Sequence, residues 1–202
     1  MAHSAAGGMA PSRGRAGALR ALGGCLLAGL LVGIVVAGLG SRIVMRILAA
    51  ASPEVTGSFT EAGNRVGEIT VGGTVSLLLF VGIPVGVAAG LVTFAARRWL
   101  PARAPWRGLA LSLVLLAAFG TTVLDPENID FRLLPPAGLA IGLFGGLFLA
   151  AGLSLAPLAD RLGPGVPRIL ERRDVTLAGG VLLAVLVALG LARVARAVAG
   201  LV

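Results

Sequence analysis

The run CLLAGLLVGIVVAGLG, from Cys25 to Gly40, holds sixteen consecutive residues without a charge, an amide or a hydroxyl. Comparably apolar stretches recur near residues 70–96, 108–124, 137–159 and 175–199. Apolar runs of about 18 residues or more are the mark of helices that cross a bilayer. Composition agrees: the chain is 57% hydrophobic and 13% charged, with a mean hydropathy of +0.98. A soluble domain carries about a quarter charged residues. The sequence therefore predicts an all-α, polytopic transmembrane helical bundle of five spans, packed through Gly and Ala. No loop exceeds about twenty-five residues, too few for a separate soluble domain.

Residues 1–16, MAHSAAGGMAPSRGRA, are small, polar and Gly-rich, and read as a disordered cytoplasmic tail. Residues 17–200 read as one transmembrane domain. Its spans are placed at 17–40 (with an extension to 50), 70–96, 108–124, 137–159 and 175–199. Pro84 should kink the second span, as bilayer helices tolerate. The third is close to the minimum length for crossing.

All seventeen basic residues are Arg, and the formal charge is +8. A GC-rich genome accounts for the Arg usage. In a multipass chain the charge reads as loop bias rather than nucleic-acid binding. With the N-terminus inside, eleven arginines border the cytoplasmic span ends and six the outer ones. That predicts a plasma-membrane protein with its N-terminus in the cytoplasm and its C-terminus outside. Trp99 and Trp106 suit the interfacial aromatic belt on the inner side.

Cys25 is the sole cysteine, which excludes an internal disulfide and a multi-cysteine metal site. The LGGC ending at Cys25 resembles a lipoprotein box, but Arg20 lies only five residues upstream, which argues against lipidation. A cleavage site at Ala49–Ala51 would be separated from its apolar core by Arg42 and Arg46, so an uncleaved helix is preferred. His3 is the sole histidine and sits in the tail. No zinc, nucleophile-elbow or phosphate-loop motif is present, and DPENID at residues 125–130 lacks the ligand spacing of a calcium loop. Catalytic residues, cofactor and metal are all read as none.

Small residues recur every four positions. They are Cys25, Gly29, Gly33, Ala37 and Ser41 in span one, and Gly82, Gly86 and Gly90 in span two. Span four carries Gly138, Gly142, Gly146, Ala150 and Ser154, and span five Gly180, Ala184, Ala188 and Ala192. Such GxxxG-like rows let helix backbones approach closely in lipid. The plain expectation is packing within the bundle, with a homo-oligomer interface or the sliding helices of a transporter as the alternative. Spans two and four also exit through RRWLP and DRLGP. That similarity reads either as a parallel repeat or as coincidence, and its brevity favours coincidence.

Arg42 and Arg46 interrupt the apolar sequence four residues apart, on one helix face. They are expected in the outer interface, within a charge cluster with Arg65, Glu61, Glu68, Asp125, Glu127 and Asp130. The expected role is ion pairing that pins the loops to span one. A site for an anion or a lipid headgroup is the alternative. SRIVMR and NIDFRLLPP resemble segments of small multipass proteins from actinobacterial genomes, a group without a defined activity. The leading functional reading is a non-enzymatic partner in the membrane, associating with lipid and with itself or another membrane protein. A transporter or channel subunit is the alternative, and a membrane enzyme comes third.

Overall fold

The computed structural model describes residues 10–52, 70–124, 137–163 and 173–201. Residues 1–9, 53–69, 125–136, 164–172 and 202 lie outside that set. The first span is one unbroken helical rod: α1 (Ala10–Val32), a π-helical stretch (Gly33–Gly40) and α2 (Ser41–Ala51). The second comprises α3 (Val71–Leu77), a π stretch (Leu78–Gly82) and α4 (Ile83–Ala96). The remaining spans are α5 (Ala104–Val123), α6 (Ala137–Leu162) and α7 (Arg173–Leu201). The described residues are all-helical in their regular structure, with five helices long and apolar enough to cross a membrane.

Local chemistry sets the ends. Thr70 is extended and its Oγ1 accepts a hydrogen bond from Gly73 N at 3.1 Å, an N-cap that starts α3. Ser52 leaves helical geometry directly before Pro53, where the proline ring disfavours helical backbone. Pro105 lies in the first turn of α5, where its missing N–H is harmless. That span therefore starts four residues before the apolar run, with Trp106 and Arg107 already helical. The tail expectation is likewise shortened, because α1 begins at Ala10.

Pro84 is accommodated through the π stretch. A helical proline lacks a donor, and its ring presses on the carbonyl four residues back, here that of Phe80. The wider turns of Leu78–Gly82 absorb this misfit, and Ile83 N donates to Leu78 O, five residues back. The π stretch of span one packs against it.

Span one is the centre of the bundle, with α1 packed on α4 and on α6. In turn α5 packs on α6 and α7, whereas α4 and α5 scarcely touch. Cys25, Ala28 and Val32 of α1 meet Ala89, Leu111, Leu115, Leu155 and Ala156 in the core. Farther along, Val44, Leu48 and Ala49 of α2 pack on Ala140 of α6.

Spans one and two are joined backbone to backbone. A Cβ added at Gly86 would lie 2.6 Å from Gly29 O, and one at Gly90 2.6 Å from Cys25 O. Added Cβ atoms at Gly29 and Gly33 would also strike the facing glycines, and one at Gly82 would lie 3.3 Å from Gly33 O. Span four corrects the sequence expectation. Cβ atoms at Gly138, Gly142 and Gly146 would meet nothing within 4 Å among the described residues. The larger Phe144, Leu147, Phe148 and Leu155 take the inward face of α6, which turns the small row outward. Its close contact with α5 is made elsewhere, at Gly152, whose added Cβ would strike the backbone of Ser112. The Ser112 hydroxyl is within bonding distance of Gly108 O (2.9 Å) and Leu149 O (3.2 Å).

Candidate functional site

The best-defined polar assembly lies at the end of the bundle where spans two and four exit. α4 stops at Ala96, and Arg97 follows as its C-cap. Arg97 donates through Nη1 and Nη2 to Gly163 O, both at 3.1 Å. Its Nη2 also reaches Asp160 Oδ1 at 3.4 Å, and its Nη1 lies 3.7 Å from Cys25 Sγ. Arg107, in the first turn of α5, folds back over its own loop. Nε donates to Pro101 O and Nη2 to Ala102 O, each at 2.9 Å, while Nη1 pairs with Asp160 Oδ2.

One carboxylate thus bridges two guanidiniums from different spans. Gly163 is held to the helix end by its N–H bond to Ala159 O (2.9 Å), and Gly24 of α1 sits against its backbone. Span five joins through Trp99, whose ring covers Gly179 and Gly180. Arg98 lies over the same ring, 4.9 Å from its centroid. A forked donor suits such multiple bonding to carboxylate and carbonyl oxygen. With Arg97 engaged in this way and its side chain only 13% exposed, the assembly is built to clasp helix ends.

Residue reading alone missed this clasp. The available signal was the similarity of RRWLP and DRLGP: Arg97 and Asp160, the first residues of the two segments, are bonded to each other. The resemblance marks two helix ends that leave the bundle side by side.

At the opposite end, Ser41 opens α2 and its hydroxyl donates to Gly38 O at 2.8 Å. Val44, Leu48 and Ala49 turn inward, which sets Arg42 at the edge of the packed face. Arg42 is partly buried, and among the described residues its Nε is a buried nitrogen without a hydrogen-bond partner. Arg46, one turn on, is exposed and takes part in an interaction of its own. The other members of the expected cluster, Arg65, Glu61, Glu68, Asp125, Glu127 and Asp130, lie outside the described residues.

Between the clasp and Arg42 lies a cavity of about 210 Å³, bordered by spans one to four. Val36, Ala37, Val81, Phe119, Phe148 and Leu155 are among its walls, and both π stretches border it. Ser41 and Thr122 supply hydroxyl-bearing side chains among otherwise apolar neighbours. It is larger than the ~150 Å³ apolar cavities that stay dry and admit benzene. The chain matches no protein-family model, no curated protein and no solved structure.

Proposed function

We propose that this multipass membrane protein is a non-enzymatic, self-associating component of the plasma membrane, joined to a second copy through the outward face of span four. The observation that carries this reading is a small-residue row left unused inside the monomer that, unlike the exposed Ala184, Ala188 and Ala192 of span five, holds three glycines. Gly138, Gly142, Gly146, Ala150 and Ser154 are all exposed, with open space beyond the three glycines. In the equivalent row of span one, Cys25, Gly29 and Gly33 are consumed against span two. Two apolar helices in lipid gain little from apolarity alone and associate where small residues permit backbone contact. A row of this kind is self-complementary across a two-fold axis, as a symmetric dimer requires.

The arginine distribution supports an N-terminus inside and a C-terminus outside, with the clasp facing the cytoplasm. A reporter active only in the cytoplasm should work when fused after Arg103 and fail after Gly57; the reverse result would invert the bundle. The transporter reading has less support, because the cavity walls are apolar where a solute path needs polar groups.

Self-association is tested by Gly142→Leu and Gly146→Leu. The expected result is an unchanged melting temperature in detergent, because each side chain enters open space. Dimer occupancy in dilute proteoliposomes, read by single-molecule photobleaching, should fall steeply. Unfolding of both variants, or wild-type occupancy in both, would defeat the proposal.

A further inference from the structure

The cavity reaches Ser41 at the start of α2, one residue before Arg42 with its nitrogen unpartnered among the described residues. We infer that the structure provides a binding slot for one hydrocarbon chain of an anionic lipid, with Arg42 holding its headgroup. This site is independent of the proposed self-association, since it lies inside the bundle and the span-four row faces out.

The shape of the cavity indicates a chain. Its walls on α6 run from Phe144 to Leu155, a rise of about 16 Å at 1.5 Å per residue. A volume of about 210 Å³ drawn out over that length is a narrow slot, suited to an extended chain better than to fused rings. The wall chemistry agrees, since side chains such as Val81, Phe119 and Phe148 offer contact to methylenes and no partner for a polar ligand. Spans two and three both line the slot yet scarcely touch each other, and a chain would enter from the bilayer between them.

Charge selects the headgroup. Ser41 lines the slot, and Arg42 is the next residue along the helix. The buried Nε–H of Arg42 lacks an acceptor among the described residues, and an unsatisfied donor on a cation is costly in a partly dehydrated site. A phosphodiester supplies that acceptor together with the opposing charge. A neutral zwitterionic lipid offers the same oxygens with its charge already compensated, so an anionic lipid is the better occupant.

The test uses the full chain in phosphatidylcholine vesicles doped with phosphatidylglycerol carrying a photoreactive diazirine near one chain end. Labelling is expected on slot residues such as Val81, Phe119 and Phe148. Unlabelled phosphatidylglycerol should compete it away, while inorganic phosphate at the same concentration should not. Arg42→Gln should weaken that competition about tenfold, the loss expected of one charge-assisted hydrogen bond, with Arg42→Lys intermediate. Ala151→Trp, which fills the slot, should remove the label; Ala37→Phe is the second filling variant, and circular dichroism melts establish which of them folds.

Labelling confined to outward residues such as Leu79 and Phe80 would overturn the inference. Equal labelling by diazirine phosphatidylcholine and phosphatidylglycerol would reduce the slot to ordinary lipid contact. Displacement by inorganic phosphate would leave an anion site without a chain. The competition arms need no variant, so they decide the matter even if both filled slots fail to fold.

Discussion

Asp160→Asn is expected to cost the bundle about 2 kcal/mol. The figure lies between the ~0–1 kcal/mol of an exposed ion pair and the ~3–5 kcal/mol lost when a buried one is broken. The position of the pair decides where in that range it falls. Asp160 itself is 39% exposed, but Arg97 and Arg107 keep only 13% and 25% of their side-chain surface. The amide keeps the shape and one acceptor oxygen while removing the charge that balances two guanidiniums. The measurement is the unfolding midpoint in detergent, expected to fall by several degrees. Arg107→Gln should be milder, because Arg97 would retain both Gly163 O and Asp160. A double-mutant cycle between Arg97→Gln and Asp160→Asn should show coupling of the same sign. Additive losses would mean that the carboxylate contributes nothing through Arg97.

Gly86→Leu is the second large effect, and here sterics decide. The added Cβ would start 2.6 Å from Gly29 O and 3.1 Å from Gly33 Cα, both backbone atoms that cannot rotate away. Spans one and two must separate to admit it, which breaks the row from Cys25–Gly90 to Gly33–Gly82. Overpacking typically costs about 1–3 kcal/mol, and backbone neighbours place this site at the upper end. Gly86→Ala should show roughly half the effect, with the same sign. A Gly86→Leu variant that melts like wild type would mean that the two helices do not meet at these glycines. In the same assay Gly142→Leu should leave the midpoint unchanged.

The five spans were legible because hydropathy reports directly what lipid demands. Their ends were less so, since backbone bonding continues past the last apolar residue: α1 starts before Gly17, and α5 already includes Trp106 and Arg107. Facing direction was only partly legible. Small residues at four-residue spacing have the same periodicity whether they meet a helix or lipid. Span one and span four therefore looked alike, and one row turned inward and the other outward. What separated them was the placement of bulk: in α6 the inward face belongs to Phe144, Leu147 and Phe148.

The clasp was legible only in retrospect. Arg97 and Asp160 are sixty-three residues apart, joined through the fact that even-numbered spans leave the membrane on one side. The charge pattern pointed instead to the opposite end, where Arg42, Arg46 and Arg65 were expected with five carboxylates. The π stretches had no signal beyond Pro84 and a high density of glycine, because π turns arise from packing misfit rather than residue preference.

Self-association through span four is tested most directly by cysteine cross-linking in native membranes. In a Cys25→Ala background, a single cysteine replaces Gly146 in one variant and Phe80 in another. Both positions are exposed, Phe80 at 78%, so reagent access is comparable. An oxidant-dependent, disulfide-linked dimer is expected for Gly146→Cys and only the collisional background for Phe80→Cys. Equal cross-linking at the two sites, or none at Gly146, would contradict it.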